Sequence, residues 1–246
     1  MTNLTNQNQY TNITEYYDLL MTHGYYDYQA MAQAVYSLMK EKSCYKILEL
    51  GVGTGLLAEK LQLLAPESEF TGVDITASML DIARKRLGEW GKLVEADIFD
   101  TDLKDEFNMA VSSGGVWVIN QRKGRTDLGI HGSNIESNIQ GLTNIAKHLC
   151  QDGLLLLSIQ GEQKSYEQHL PESIVYSQSI EPIAENEEIE SIEKSYFFKR
   201  NGVILAQQKL ELGFIKQWKK EEILKQSGFS LIKIDDSQKF YIYAKS

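Results

Sequence analysis

Three glycines fall within five positions of the segment KILELGVGTGLLAEKL, residues 46–61, at Gly51, Gly53 and Gly55. Glycine weakens regular structure and serves best where backbone turns sharply or approaches a ligand closely. Here it separates an apolar run from a helical pattern, so bare backbone and a helix N-terminus face one point. That arrangement suits phosphate, but also any flat or charged group that needs close backbone approach. A dinucleotide fingerprint places glycine at its first, third and sixth positions. In this chain the sixth position is Leu56, and the last glycine sits at the fifth. Three carboxylates accompany the loop. Asp74 closes the next apolar run, where it could accept hydrogen bonds from both hydroxyls of a ribose; Thr76 and Ser78 are better helix caps than it is. Asp97 closes the run after that, on the same cleft edge. Glu49 shortly precedes the first glycine, where a carboxylate could meet an ammonium group. A pyrophosphate site has little use for an acid beside its glycine loop, whereas a cationic, zwitterionic cofactor does.

The elements that must position these residues alternate. YKILELG, EFTGVDI, KLVEADI, FNMAVSSGG and GLLLLSIQ are short apolar runs, as strands buried on both faces are. LLAEKLQLLA, ASMLDIARKRLGEW and NIQGLTNIAKHLC carry helical periodicity between them. Such alternation predicts βαβ units and a parallel sheet with helices on both faces. After Gly161 the pattern changes: residues 162–193 are acidic and irregular. SYFFKR-NG-VILAQQKLELGF then predicts a hairpin turning at Asn201-Gly202. KKEEILKQSG reads as a helix capped by glycine, and FSLIKIDDSQKFYIYAKS as a closing hairpin. Ahead of the glycines, helical spacing runs from Ile13 to Met39, broken near His23-Gly24 with five tyrosines crowded around the break. The expected division is a helical lid at 1–40, a cofactor-binding core at 41–161, an antiparallel insertion over the site at 162–213, and a helix and hairpin completing the core sheet at 214–246. The polar residues up to about 14 are expected to be loose.

In order and spacing, ILELGVGTG, FTGVDITASMLDIARKRL, VEADIFD and FNMAVSSGG resemble the successive motifs of class I S-adenosylmethionine-dependent methyltransferases, across residues 45–160. The resemblance implies an α/β, Rossmann-like, doubly wound sheet of seven mostly parallel strands with an antiparallel C-terminal hairpin. It implies S-adenosyl-L-methionine as cofactor and S-adenosyl-L-homocysteine as product. On this resemblance the loop at Gly51 and Gly53 passes beside the methionine part of the cofactor. Asp74 would hold the ribose hydroxyls, and Ile75 and Met79 would pack near the adenine. Asp97 with Ile98 would read the adenine amino edge, and Ser112 would close the methionine side. More loosely, the N-terminal helices and the added antiparallel strands resemble small-molecule N-methyltransferases, including those acting on amino sugars. Several of those carry a histidine after the fourth strand, where this chain has Trp117.

Methyl transfer of this kind is an in-line displacement in which the protein aligns the partners and excludes water. An amine must arrive neutral, which a dry pocket favours, so a dedicated base is optional. Tyr17 could hold the donor methyl, or pack as a half-buried tyrosine. His131, in the glycine-flanked segment DLGIHGSN, could be the base or a solvated loop residue. Trp117, Tyr25 and His23 are the substrate-side candidates. Trp117 could form an apolar or cation-attracting wall, or belong to the core. Arg122, Lys123 and Arg125 read as a solvated loop that could grip a carboxylate, Glu185 to Glu193 as a solvated face, and His148 as structural. The function expected is methyl transfer to a small molecule, at an amine nitrogen, with a small-molecule O-methyltransferase as the alternative. An NAD-dependent oxidoreductase would want the missing sixth-position glycine. A non-catalytic cofactor-binding protein would have little reason to keep Glu49, Asp74 and Asp97 together.

Composition agrees with that class. The 246 residues are 42% hydrophobic and carry a net charge of −9, which argues against a nucleic-acid groove. No run of about 18 apolar residues spans a membrane, and no metal-ligand spacing is present. Cys44 and Cys150 form no redox pair and read as buried reduced thiols. A cytoplasmic location is expected, with a small-molecule substrate as partner and a homodimer compatible with the sequence.

Overall fold

The computed structural model describes residues 10–246; residues 1–9 of the expected lid lie outside the described part. A single 3₁₀ turn, Thr11–Ile13, leads into α1 (Thr14–Leu20), a π turn (Met21–Tyr25) and α2 (Tyr28–Lys42). Then follow β1 (Lys46–Leu50), α3 (Leu56–Leu64), β2 (Glu69–Asp74), α4 (Ala77–Leu87), β3 (Gly91–Glu95) and β4 (Phe107–Ser112). Next come β5 (Trp117–Arg122), β6 (Arg125–His131), α5 (Ile135–His148) and β7 (Leu149–Gly161). The antiparallel strands are β8 (Tyr166–Leu170), β9 (Ile174–Glu185), β10 (Ile189–Arg200) and β11 (Val203–Ile215). The chain closes with α6 (Gln217–Gln226), β12 (Phe229–Ile234) and β13 (Phe240–Lys245).

The core is the expected α/β layer. Its strands run β3-β2-β1-β4-β7 in parallel, then β13 and β12 antiparallel, which gives the seven strands read from the sequence. Successive residues of β1 serve opposite faces, because side chains alternate across a strand. Ile47 packs with Val35, Leu57 and Leu61 from α2 and α3. Leu48 packs with Leu142, Ile145 and Ile223 from α5 and α6. Both faces are therefore dry, and the strands could not alternate with polar residues. α2 is part of this layer, so the segment lying over the site is shorter than the expected lid and ends near residue 26. Its break falls where glycine permits it, with His23 outside helical geometry and Gly24 at φ +93°.

The sheet does not stop at seven strands. The C-terminal end of β7 pairs with β5, through Ile119 opposite Ile159, and the ladder continues through β6, β11, β10, β9 and β8 to thirteen strands. The basic run at residues 122–125, expected as a loop, lies on strands of this extension. Arg122, Lys123 and Arg125 sit at a hairpin between β5 and β6 that turns on Lys123 (φ +49°) and Gly124 (φ +75°), a pair outside the strongest turn signals. Buried Glu190 accepts from Arg122 at 2.6 Å and from Lys123 at 2.7 Å, and Asp127 accepts from Arg125, so the basic run is structural. The irregular acidic stretch forms β8, β9 and the start of β10. Glu185 and Glu188 pair with Lys216, just before α6, and Lys219, in its first turn, whereas Glu190 is buried, so the run Glu185 to Glu193 is not wholly the solvated face expected. Asn201 and Gly202 form the expected tight turn, both with positive φ.

Cys44 and Cys150 are free but half-exposed, not buried. His148 is structural, accepting from Leu103 N and bonding Asn144 O. Among the described residues no helix is long and apolar enough to cross a membrane, and no cluster of ligating side chains could hold a metal.

Gly72, in the middle of β2, touches the glycine loop. A Cβ there would lie 2.8 Å from Val52 Cγ2 and 3.0 Å from Leu93 Cδ2. Gly72→Ala should lower stability by about 1–3 kcal/mol, the usual cost of overpacking, measured by urea unfolding. An unchanged midpoint would show that the loop yields freely at Val52.

Candidate active site

The glycine loop is pinned to the end of β2. Gly51 N and Val52 N both donate to Val73 O, at 2.8 and 3.0 Å. The Asp74 carboxylate holds the next segments, accepting from Gly53 N and from Thr76 N, each at 2.8 Å. Burial raises the Asp74 pKa, and these backbone bonds oppose the rise. Gly51 adopts φ +72°, and a Cβ on it would come 2.9 Å from Gly115 Cα. The loop and the β4–β5 connection thus meet backbone to backbone, which only glycines allow.

Glu49 sits under this loop, 1% exposed. Its Oε1 accepts from Ser113 Oγ at 2.6 Å, while its Oε2 is buried without a hydrogen-bond partner among the described residues. Burial pushes its carboxyl up to about 8, against the Ser113 hydrogen bond, and Asp74 adds to the rise. A buried acceptor left unpaired is costly, and an N–H or O–H donor in the chamber would satisfy it. The chamber around it is walled by Tyr17, Tyr28, the loop from Gly51 to Thr54, and Ser113 with Gly114.

α1 is tied over the chamber by Asp18. Thr54 Oγ1 donates to Asp18 Oδ1, Arg86 Nη2 donates to Asp18 Oδ2, and Arg86 Nη1 donates to Thr54 O. One carboxylate therefore joins α1, the glycine loop and α4.

Beyond Tyr17 and Gly114 lies a second cavity, and those two residues line both spaces. Its wall comes from the N-terminal segment (Tyr10, Tyr25, Tyr26), from the β4–β5 connection, from β6 and from β10. His131 is inside it, with Tyr10 Oη 3.2 Å from its Nε2. Burial first, and Lys194 second, lower the His131 pKa to about 4. The imidazole is therefore neutral at pH 7. The phenols of Tyr10, Tyr17, Tyr26 and Tyr196 are all pushed up by burial, so they stay protonated. Lys194, 1% exposed, points in from β10 and bonds Tyr25 Oη at 3.0 Å and Gln163 Oε1 at 2.8 Å. Among the described residues no Asp or Glu lines this cavity.

The residues singled out from the sequence divide into three groups. Glu49, Gly51, Gly53 and Tyr17 meet at the chamber, and Tyr17, Tyr25 and His131 meet at the cavity. Asp74, Ile75 and Met79 lie at the β2–α4 turn; Asp97 and Ile98 follow β3 one strand along. Met79 and Ile98 are buried, whereas Asp97 is exposed with its carboxylate accepting from Phe99 N. The third group is elsewhere. Ser112 is fully buried and accepts from Trp117 N at 3.1 Å, and it is Ser113 that reaches Glu49. Trp117 is a core residue, fully buried, donating to Asn138 Oδ1 at 2.7 Å and stacked on Phe99. His23 is exposed, its ring bonded to Leu19 O at 2.7 Å, and lines neither space. Sequence reasoning missed Tyr10, Asp18, Thr54, Arg86, Ser113 and Lys194. For Lys194 one signal existed: it shares strand parity with Ile192, Tyr196 and Phe198, all inward-facing.

Residues 47–126 match the family model described as a methyltransferase domain. The malonyl-[acyl-carrier protein] O-methyltransferase of Bacillus cereus is 31% identical over 144 residues, 56% of this chain and 48% of that protein. The demethylmenaquinone methyltransferase of Thermotoga maritima is 38% identical over 71 residues, 29% of this chain and 31% of that protein. The chain thus spans less than half the length of the curated relatives it matches first. Among solved structures, the amino pentose methyltransferase CalS10 of Micromonospora echinaspora superposes with a TM-score of 0.68 at 14% identity, covering 94% of this chain and 97% of that one. The sugar N-methyltransferase KedS8 of Streptoalloteichus gives 0.68 at 16% identity, covering 93% and 92%. At such identities the likeness is one of fold. Residues 47–126 thus match a methyltransferase-domain model, and nearly the whole chain shares the fold of these two solved structures.

Proposed function

We propose that the protein transfers a methyl group from S-adenosylmethionine to a small molecule, at an amine nitrogen. The observation that carries this reading is the junction at Tyr17 and Gly114, where the glycine-loop chamber and the acid-free cavity share a wall. The residues present fit the cofactor. The unpaired Glu49 Oε2 suits its ammonium, the backbone at Gly51 and Gly53 suits its methionine part, and Asp74 with Asp97 suits its ribose and adenine edges. Ser113, rather than Ser112, closes the methionine side. When bound, the cofactor supplies an electrophilic methyl on a sulfonium leaving group.

The chain's own residues do the rest. Tyr17, held by the Asp18 tie of the next residue, separates the chambers and excludes water. The cavity favours a neutral amine twice over, since both burial and the nearby Lys194 cation disfavour an ammonium. With its pKa lowered to about 4, His131 is a weak proton acceptor, so the scheme relies on an amine that enters neutral and not on a dedicated base. At the level of fold, the names of CalS10 and KedS8, an amino pentose methyltransferase and a sugar N-methyltransferase, support the amine assignment. A second reading, O-methyl transfer with His131 as general base, is favoured by the O-methyltransferases among the matched relatives.

Two outcomes are expected. With Glu49 raised to about 8, cofactor binding at pH 7 should release about one proton as the carboxyl ionises against an ammonium. Calorimetry in buffers of different ionisation enthalpy should show this for the native protein and not for Glu49→Gln. Equal, proton-free binding by both would remove Glu49 from the site. In a methyl-transfer assay with labelled cofactor, amines should take the label ahead of phenols and carboxylates, and His131→Ala should slow amine turnover less than about 10-fold. A loss of about 10²–10⁴-fold, the contribution of a positioned general base, together with label on oxygen acceptors only, would favour the second reading.

A further inference from the structure

Lys194 is a buried cation that the fold does not neutralise. It is 1% exposed, and no carboxylate pairs with it among the described residues. Its ammonium has three N–H donors, and two are spent on neutral oxygens, Tyr25 Oη and Gln163 Oε1. Two aromatic faces lie near it, Tyr196 at 4.6 Å and Tyr25 at 5.3 Å from Nζ to the ring centroid. Rings and neutral oxygens soften the desolvation of a charge but do not cancel it, and buried charges are normally paired. Buried Arg122 is paired with Glu190 and Asp127 with Arg125, whereas buried Lys220, like Lys194, is held by neutral oxygens, Thr126 O and Oγ1; of these two lysines it is Lys194 that lines the cavity. Lys194 is therefore an unmatched charge in the wall of the cavity proposed above for the acceptor.

Its place in that cavity has a direction. Tyr25 and Gln163, which hold the ammonium, also line the open groove that leads outward past Gly161 and Lys239. Tyr17 and Gly114 line the part that adjoins the glycine-loop chamber. A molecule lying across the cavity would put its reacting nitrogen at Tyr17 and its far end at Lys194.

We propose that the acceptor is an anionic amine, whose oxyanion, a carboxylate or a phosphate, is bound by the Lys194 ammonium at the groove side of the cavity. The inference rests on the methyl-transfer reading of the same site and adds to it the charge and the orientation of the substrate. Lys194 is a binding residue in this scheme; it sets which end of the acceptor enters first. The phenols of Tyr10 and Tyr196, kept protonated by burial, offer neutral donors beside the same oxyanion.

The test has a binding arm and a turnover arm. In the first, propionate and methyl phosphate, which carry no nucleophilic nitrogen, are titrated calorimetrically into the protein saturated with S-adenosylhomocysteine. Binding of either by the native protein and by Lys194→Arg, with at least a 10-fold loss in Lys194→Met, supports the proposal, and the preferred anion identifies the oxyanion. Binding of neither, or equal binding by Lys194→Met, overturns it. In the second arm, kcat/KM is compared for amines matched in size and bearing a carboxylate, a phosphate or a neutral amide. The native protein should prefer an anionic amine by at least 10-fold, mostly through KM, and Lys194→Met should lose that preference while binding S-adenosylhomocysteine normally. A native protein that uses the neutral amide equally well contradicts the proposal. Retained anion binding with no transfer to any amine would instead overturn the amine-transfer reading and leave the oxyanion site standing. Should Lys194→Met fail to fold, the native protein and Lys194→Arg still decide the binding arm.

Discussion

The site depends on one carboxylate. Asp18 takes hydrogen bonds from Thr54 in the glycine loop and from Arg86 in α4, and Arg86 returns to the Thr54 carbonyl. The triangle fixes α1 in height and in rotation. It is what turns Tyr17, one residue earlier, into the partition between chamber and cavity. It also sets the chain direction that brings Tyr10 against His131. Hydrogen bonds to charged groups are worth about 1.5–3 kcal/mol each, enough to hold a short helix in place. The helical path breaks at His23-Gly24, between α1 and α2, and α2 is bound into the core.

The two spaces that α1 separates have opposite characters. The chamber contains a carboxyl that burial keeps protonated, with one oxygen unpaired among the described residues. The cavity contains a buried ammonium, a neutral imidazole and a ring of phenols that stay un-ionised. Charge placed in this way sorts ligands: a cationic group is drawn to the glycine loop and repelled from the cavity. A dry enclosure matters for a displacement in which three atoms must align, since orientation can supply about 7–11 kcal/mol of the barrier. The protein needs no elaborate acid–base apparatus to use that advantage; it needs closure and correct polarity on each side.

Much of this was legible in the sequence, for identifiable reasons. Strands buried on both faces are continuous apolar runs, so β1, β2, β4 and β7 were plain. The glycine spacing and the acids Glu49 and Asp74 are local features of one βαβ unit, and they appear where local reasoning puts them. What local reasoning could not see is contact at long range. Ser112 and Ser113 are both small and polar, and only the pairing of β4 with β1 decides which faces Glu49. Trp117 follows the fourth strand as a pocket residue would, yet β5 turns it inward onto Phe99 and Asn138. β9 and the start of β10 looked irregular because some of their acids are exposed while Glu190 is buried against Arg122, a pairing made at long range. That same acidic stretch hid Lys194, whose neighbours in sequence are charged and whose neighbours in space are tyrosines.

The central claim is that the reacting atoms meet at Tyr17 and Gly114, between chamber and cavity. A crystal structure with S-adenosylhomocysteine bound tests it most directly. The account requires the ammonium of that ligand within hydrogen-bonding distance of Glu49 Oε2, and its sulfur facing the cavity through the Tyr17–Gly114 junction with α1 still tied by Asp18. A ligand whose sulfur faces solvent or the opposite side of the glycine loop, with Glu49 untouched, would contradict it.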